Sequence, residues 1–487
     1  MARPSWDLRS YVPAKLALGF RALRFWNRMA APSLFVTSFV LLIAIGTFGL
    51  MALAGLQNGP RLGFVDSLFT MTSAVCVTGL VVVDTATQFT GLGQLWILLF
   101  IQLGGIGLIS LTTLLIGAMG RRLSLRSEML AVAPTRTHDR PEVWELTLAV
   151  TKFSLIVEGL GALALFLTWL PDLSVGDAAW AGLFHAISAY CNAGFSTFST
   201  SLIGHADNQL ALFIVSVLII IGGLGYLTFE ELIRWWKTRR ALRAGIRDVG
   251  HGSRRMSSHT WAVVVTSMVL LLAGWIMFAI FEWYGALGHL SVFDKLTNAW
   301  FLSVTPRTAG FNNLDYTLVG NDTAALTMLF MFIGGSPGST AGGIKTTTVA
   351  VLVALGLSRF QGQRFVSLKH RAIPPGTIER TVGIFLLAIF ILVASFFVIS
   401  AIEAVGQDAA TSRGQFLPIA FEVVSAFATV GLSMNYTPEL EAPSKLIVAL
   451  LMFIGRVGLF SFFTAVMLRR AQPPAFKRPA QEDLIVG

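Results

Sequence analysis

Four short stretches of this chain end in a glycine that returns at a nearly constant interval: SAVCVTGL from Ser73, SAYCNAGF from Ser188, SVTPRTAGF from Ser303 and SAFATVGL from Ser425. Gly79 to Gly194 is 115 residues, Gly194 to Gly310 is 116, and Gly310 to Gly431 is 121. A period held that closely is an internal repeat. The chemistry these loops offer is that of the backbone. Glycine reaches φ > 0 without steric cost, and loops that turn successive carbonyl oxygens inward can replace the hydration shell of a cation. A plainer reading, in which each glycine only turns the chain after a short helix, fits any single loop but not four in register.

Other chemistries find little support. There is no HExxH, no CxxC, no clustered histidine with ligand spacing, no Walker A loop, and neither a GxSxG elbow nor a GxGxxG opening a helix after a strand. Cys76 and Cys191 are the only cysteines, too few for a disulfide framework. They stand three residues before their loop glycines, where small packing residues are a simpler account than a metal pair.

The elements that carry the loops are read from composition. Of 487 residues 54% are apolar and 13% charged, whereas soluble domains carry about 25% charged residues. Runs of about 20 apolar residues cross a hydrocarbon core of about 30 Å. Five such runs hold no charge: Leu34 to Leu56, Leu95 to Ala118, Leu210 to Phe229, Trp261 to Phe281 and Thr381 to Ile402. Leu446 to Leu468 holds only Arg456, Trp144 to Leu170 holds Glu145, Lys152 and Glu158, and Ala324 to Leu357 is interrupted by a Gly/Ser/Thr-rich stretch. Eight spans are therefore expected.

The net charge of +10 does not point to nucleic acid, because 28 of the 36 Lys and Arg lie in residues 1–32, 121–141, 234–255, 358–380 and 469–487. That bias places both termini and the basic loops in the cytoplasm. The alternate gaps each hold an apolar run too short to span, suited to a re-entrant helix: Phe64 to Val75, Ala178 to Tyr190, Val292 to Val304 and Phe416 to Phe427. A second mark follows each loop glycine inside the next span: LGGIG at Leu103, IGGLG at Ile221, IGGSPG at Ile333 and IGRVG at Ile454. Each unit is thus span, re-entrant helix, glycine loop, span.

This pattern resembles the Trk/Ktr/HKT superfamily of potassium transporters, most of all the membrane subunit of the bacterial Ktr/Trk system. The resemblance runs from about residue 33 to 468 and rests on CVTGL from Cys76, CNAGF from Cys191, RTAGF from Arg307 and ATVGL from Ala428, with the interrupted span of the third unit and the arginine of the fourth. It implies an all-α polytopic membrane protein of four M1-P-M2 repeats, eight spans plus four re-entrant pore helices, around a central pseudo-fourfold pore. It also implies K+ uptake across the cytoplasmic membrane. The filter it implies comprises Cys76, Val77, Thr78 and Gly79; Cys191, Asn192, Ala193 and Gly194; Arg307, Thr308, Ala309 and Gly310; and Ala428, Thr429, Val430 and Gly431, with K+ held at the four glycines. Gly79, where Na+-favouring relatives often carry serine, favours K+. A Na+ or poorly selective monovalent cation transporter of the same fold is the alternative. The family further implies a homodimer, a cytosolic ring of nucleotide-binding (RCK-type) regulatory subunits, and Na+ as an activator in some members.

The expected order along the chain is a basic N-terminal segment 1–32, repeat 1 at 33–120, a cytoplasmic loop 121–141, repeat 2 at 142–236, a basic loop 237–257, repeat 3 at 258–357, a loop 358–377, repeat 4 at 378–468 and a tail 469–487. Within repeat 3, five glycines and a proline between Ile333 and Thr348 disfavour a continuous helix. The resemblance makes residues 334–345 a gate, through Gly334, Gly335, Ser336, Pro337, Gly338, Ser339, Thr340, Gly342, Gly343 and Lys345. A kink without gating is the other reading. Arg456 stands where the other units have Gly105, Gly223 and Gly335, about 18 Å into its helix, too deep to snorkel easily. It is expected to contact carbonyls or hydroxyls of Gly334 to Gly343 and, with Lys345, to raise the barrier to cations; a packing role is the alternative.

Other residues admit two readings each. Arg307 braces its loop or repels anions. Asp84 concentrates cations at the outer mouth or sits in a solvated loop. Lys152 and Glu158, six apart, share no helical face and are assigned to packing or an interface. The run from Arg234 to Arg255 suits anionic lipid or a cytosolic partner. An organic-solute carrier would show two large repeats, and an intramembrane enzyme would need paired acids or a Ser/His arrangement within the spans; neither pattern is present.

Overall fold

The computed structural model describes residues 31–118, 143–244, 256–369 and 371–458. Most of segment 1–32, the loop 121–141, part of the basic loop, the end of the last expected span and the tail 469–487 lie outside the described residues. The fold is built of helices, with one two-stranded hairpin pairing Ser367–Leu368 and Arg371–Ala372.

The long apolar runs form α1 (Ala31–Ala52), α3 (Gly91–Ala118), α4 (Val143–Trp169), α8 (Ser258–Glu282) and α12 (Pro375–Glu403). The short runs form α2 (Phe64–Val75), α5 (Val175–Cys191), α9 (Val292–Val304) and α13 (Phe416–Ala428), close to the expected limits. At 12 to 17 residues these are about 18 to 26 Å long. Two of them begin with a reciprocal cap. Ser174 Oγ accepts from the Asp177 amide and donates to its carboxylate, and Ser291 does the same with Asp294.

The remaining elements are α6 (Gln209–Leu224), α7 (Tyr226–Arg243), α10 (Asn321–Phe332), α11 (Thr346–Phe360) and α14 (Ala442–Val457). Among the described residues, Thr147–Trp169, Ser258–Glu282 and Pro375–Glu403 are long and apolar enough to cross a membrane, and α6 with α7 forms a bent fourth candidate. Helices α1, α3 and α14 reach the limits of the described residues. Outward faces carry exposed Leu160, Ile280, Phe390 and Phe397, the surface lipid covers.

One expected span is corrected. Leu210 to Phe229 reads as a single run, but the helix stops at Leu224 and the chain turns by 96° into α7. Gly225 adopts φ 79° and ψ 149°, a conformation essentially reserved for glycine. The Gly338 carbonyl lies where a side chain would project, 2.9 Å from an ideal Cβ. Hydropathy is blind to both. The expected boundary at 236/237 consequently falls inside α7. The interruption between α10 and α11 is where the glycines placed it.

Packing runs from unit to unit and closes on itself. Helix α3 packs on α5, α6 on α9, α10 on α13, and α14 on α2, which joins the end of the fold to its beginning. Side chains fasten three of these four joints. Trp180 Nε1 donates to Gln94 Oε1 at 2.6 Å, Gln209 Nε2 to Asp294 Oδ1 at 2.6 Å, and Lys445 Nζ to Asp66 Oδ1 at 3.0 Å. The repeated glycine mark serves a different contact, between each short helix and the helix that follows it. Gly104 lies against the Val75 carbonyl, Gly222 against that of Tyr190 and Gly455 against that of Phe427, so that any Cβ there would overlap the end of a short helix.

The Lys445–Asp66 pair is partly buried, with 15% and 34% of the two side chains exposed. It should couple the last unit to the first by about 1 kcal/mol. A double-mutant cycle of Lys445→Met and Asp66→Asn, read by thermal unfolding of the detergent-solubilised protein, measures this coupling. Additive effects would show that the joint is held by packing alone.

Candidate cation site

At the end of each short helix the chain reverses through two residues of positive φ separated by one. Val77 and Gly79 have φ of 55° and 95°, Asn192 and Gly194 of 61° and 70°, Thr308 and Gly310 of 72° and 77°, and Thr429 and Gly431 of 51° and 96°. A non-glycine residue in this region costs roughly 1 kcal/mol or more, so four of them at one register need strong surrounding bonds.

Those bonds come from the short helix itself. The amide of the residue before each glycine returns to a helix carbonyl: Thr78 to Ser73 at 2.8 Å, Ala193 to Ser188 at 2.7 Å, Ala309 to Thr305 at 3.0 Å and Val430 to Ser425 at 2.9 Å. The hydroxyls of the same four residues add a second link. Ser73 Oγ and Ser425 Oγ accept from the Gly79 and Gly431 amides, each at 3.0 Å. Ser188 Oγ and Thr305 Oγ1 donate instead to the carbonyls of Phe195 at 2.8 Å and Phe311 at 2.7 Å.

The four loops meet. A Cβ on Gly79 would collide with the Ala193 carbonyl, one on Gly194 with that of Ala309, one on Gly310 with that of Val430, and one on Gly431 with that of Thr78. The sequence of contacts therefore closes into a ring. Side chains larger than hydrogen have no room at any of its four positions. Among the described residues the buried hydroxyls of Thr78 and Thr429 meet no hydrogen-bond partner, and the Asn192 amide group meets Thr308 Oγ1 at 3.2 Å.

A further set of braces was invisible to motif reading. Glu422, nine residues before Gly431 and 1% exposed, accepts from Ser433 Oγ and from Thr437 Oγ1 at 2.6 Å. His185, nine before Gly194, meets Ser196 Oγ at 2.9 Å through Nε2 and the Ala181 carbonyl at 2.8 Å through Nδ1. In the third loop Asn313 Nδ2 donates to Asn298 Oδ1 at 2.9 Å. A polar residue inside an otherwise apolar short helix is the signal that could have found them.

Arg307, grouped with the filter by sequence, reaches α8 with its side chain. Its Nη2 donates to Ser267 Oγ on α8 at 3.1 Å, beside a cavity of about 20 Å³ that Gly223 and Gly335 also border. This bond ties the start of the third loop to α8. Cys76 and Cys191 are buried free thiols, with Cys191 Sγ packed against Gly105 and 3.5 Å from Gln102 Oε1. Glu158 is buried beside them and accepts from Gln102 Nε2 at 2.7 Å, whereas Lys152 faces outward. Asp84 caps the turn Thr85–Gln88 by accepting from the Ala86 amide at 2.9 Å.

Residues 334–345 form a loop closed at its base by Gly334 N donating to the Ile344 carbonyl at 2.8 Å. One flank is held by the end of α6, where the carbonyls of Gly223 and Gly222 accept from Ser336 N at 3.0 Å and Thr340 N at 3.3 Å. Thr340 Oγ1 also donates to the Tyr190 carbonyl at 3.1 Å. On another flank Gly342 lies against the hydroxyl of Thr429, which joins the loop to the ring. Arg456, 4% exposed, donates through Nη1 to the Thr340 carbonyl and through Nη2 to the Gly104 carbonyl at 2.7 Å. Lys345 Nζ donates to the Ala341 carbonyl at 2.7 Å. Neither cation forms an ion pair among the described residues.

A family model described as TrkH, cation transport protein, matches residues 20–477. The potassium/sodium uptake protein NtpJ of Enterococcus hirae is 32% identical over 462 residues, covering 95% of this chain and 98% of its own length. Ktr system potassium uptake protein B of Bacillus subtilis is 34% identical over 439 residues, with 90% and 93% covered. In fold, the chain resembles the crystal structure of the potassium transporter TrkH from Vibrio parahaemolyticus, with a TM-score of 0.67 at 18% identity over 88% of this chain and 83% of that one. The chain is thus a multi-pass membrane transporter rather than an enzyme, and it belongs to the TrkH family of cation transport proteins.

Proposed function

We propose that the chain takes up K+ across the cytoplasmic membrane through the ring of four glycine loops, in four M1-P-M2 repeats with the expected boundaries. The closed contact from Gly79 through Gly194, Gly310 and Gly431 back to Gly79 carries this reading. Loops with paired positive-φ residues line up backbone oxygens, and those oxygens take the place of water around a dehydrated cation. The C-terminal ends of the four short helices add partial negative charge. The uptake of potassium named for two relatives above one-quarter identity supports the choice of ion.

Residues 334–345 act as the gate. A loop joined both to Thr429 of the ring and to Arg456 lies across the cytoplasmic exit, and two cations without carboxylate partners oppose a third. Two unit charges 4 Å apart repel by roughly 4 kcal/mol at an effective dielectric constant of 20. The gate opens when Arg456 releases the Thr340 carbonyl. A cytosolic nucleotide-binding (RCK-type) ring and a homodimeric assembly complete the system, a reading supported by relatives named as parts of a Ktr system. Both termini face the cytoplasm, following the distribution of Lys and Arg.

A Na+ or poorly selective path remains as the second reading, favoured by the potassium/sodium uptake named for the Enterococcus relative; Na+ as an activator belongs to the same question. The protein reconstituted in liposomes with opposed K+ and Na+ gradients separates the two. K+ flux should exceed Na+ flux, and Gly79→Ser should abolish that preference, because its Cβ collides with the Ala193 carbonyl. Equal fluxes in the unaltered protein would establish the second reading.

The same vesicles test the gate. Arg456→Ala should raise basal K+ flux by about tenfold, the change that about 1.4 kcal/mol of barrier supplies. Deleting Pro337 to Ser339 should act in the same direction. Flux unchanged in both variants would remove the loop and Arg456 from the gate.

A further inference from the structure

The proposed ion path leaves the basic segment after the second pair of spans without a role, and the fold gives its described part a definite form. Helix α6 has 16 residues and rises about 24 Å, most of a hydrocarbon core of about 30 Å. Helix α7 then leaves it at 96°. A helix that turns at right angles to a span near the core boundary runs along that boundary, where headgroups lie.

The composition of α7 suits that place. It carries Arg234, Lys237, Arg239, Arg240 and Arg243, against Glu230 and Glu231. Both carboxylates are engaged inside the chain. Glu230 pairs with Arg234, and Glu231 accepts from Ser257 N at 2.6 Å, Ser257 Oγ at 2.8 Å and Thr260 Oγ1, which ties α7 to the start of α8. Lys237, Arg239, Arg240 and Arg243 are exposed and form no ion pair among the described residues.

Two tryptophans sit among these cations. The Arg239 guanidinium lies 4.4 Å from the centre of the Trp235 ring and that of Arg240 5.2 Å from Trp236. Trp236 is 56% exposed, and Ile233, three residues before it on the same face of the helix, is exposed too. Indole rings concentrate at the membrane interface. Arginine and lysine reach from there to phosphate while their stems stay apolar. An acidic protein surface would match the charge but leave Trp236 and Ile233 in water.

We infer that α7 is a docking surface for anionic phospholipid headgroups of the adjacent leaflet, the inner one in the orientation proposed above. Arg239, Arg240, Lys237 and Arg243 take the phosphates, and Trp236 with Ile233 enters the acyl boundary. The number of charges sets the strength, since each basic residue near an anionic surface adds to the attraction, which falls off within a Debye length.

The test uses the full chain in phosphatidylcholine vesicles containing acyl-brominated phosphatidylglycerol or, at the same mole fraction, acyl-brominated phosphatidylcholine. The difference in tryptophan quenching between the unaltered chain and its Trp235→Phe/Trp236→Phe variant isolates the two indoles of α7. Brominated phosphatidylglycerol should quench them more strongly. Combined Lys237→Gln, Arg239→Gln, Arg240→Gln and Arg243→Gln substitutions should weaken the preference by about tenfold or more. Raising the salt around the unaltered chain should weaken it as well, without relying on any variant to fold. Equal quenching by the two lipids, or none by either as for a helix held in water against a protein, overturns the inference. K+ flux in the same vesicles is read separately: lipid preference without flux fails the ion path alone, and flux without lipid preference fails this inference alone.

Discussion

A backbone that leaves helical geometry inside a membrane has no water to bond with, so every amide and carbonyl it frees must find a partner in the protein or in what passes through it. The rest of this molecule is organised around that requirement at four places at once. Amides of the four loops turn back onto their own helices, and the Ser73, Ser188, Thr305 and Ser425 hydroxyls add the second bond. What stays available is carbonyl oxygen, and each loop lays one against the glycine of the loop before it, the first against that of the fourth. The positive φ of Val77, Asn192, Thr308 and Thr429 is tolerable only because these bonds over-determine it.

The joints between units follow from the same need. Gln94, Gln209 and Lys445 fasten three of the four joints, while within a unit Gly104, Gly222 and Gly455 let the following helix touch the carbonyl end of the short one. The interrupted span meets the requirement differently. Its freed amides at Ser336 and Thr340 are accepted by Gly223 and Gly222, while Arg456 supplies donors to Thr340 and Gly104. The loop is therefore built against the turn at Gly225, and a displacement of that turn cannot leave the loop unmoved.

Much of this was legible in the residues. The period of the glycine loops and the limits of α2, α5, α9 and α13 follow from hydropathy and local turn chemistry, both encoded over a few neighbouring positions. The break between α10 and α11 follows from Gly and Pro propensity. The bend at Gly225 was not legible, because its cause lies at Gly338, more than a hundred residues away. Arg307 was grouped with the filter by position, and only the fold brings Ser267 of α8 within reach of its side chain. Glu422 and His185 looked like interruptions of apolar runs until Ser433 and Ser196 were found beside them.

The sequence by itself determined a membrane protein of repeated short and long helices, with four glycines at equivalent places and one deep arginine. Those features depend on local propensity and on the length of apolar runs, which need no knowledge of distant contacts. Tertiary structure alone decided which carbonyl each of the four glycines meets, that Arg456 reaches Gly104 as well as Thr340, and that a charge-free run ends in a right-angled turn. Each of these is a meeting of segments between about 110 and 350 residues apart, and no local pattern specifies which carbonyl a glycine will touch when the chain closes on itself.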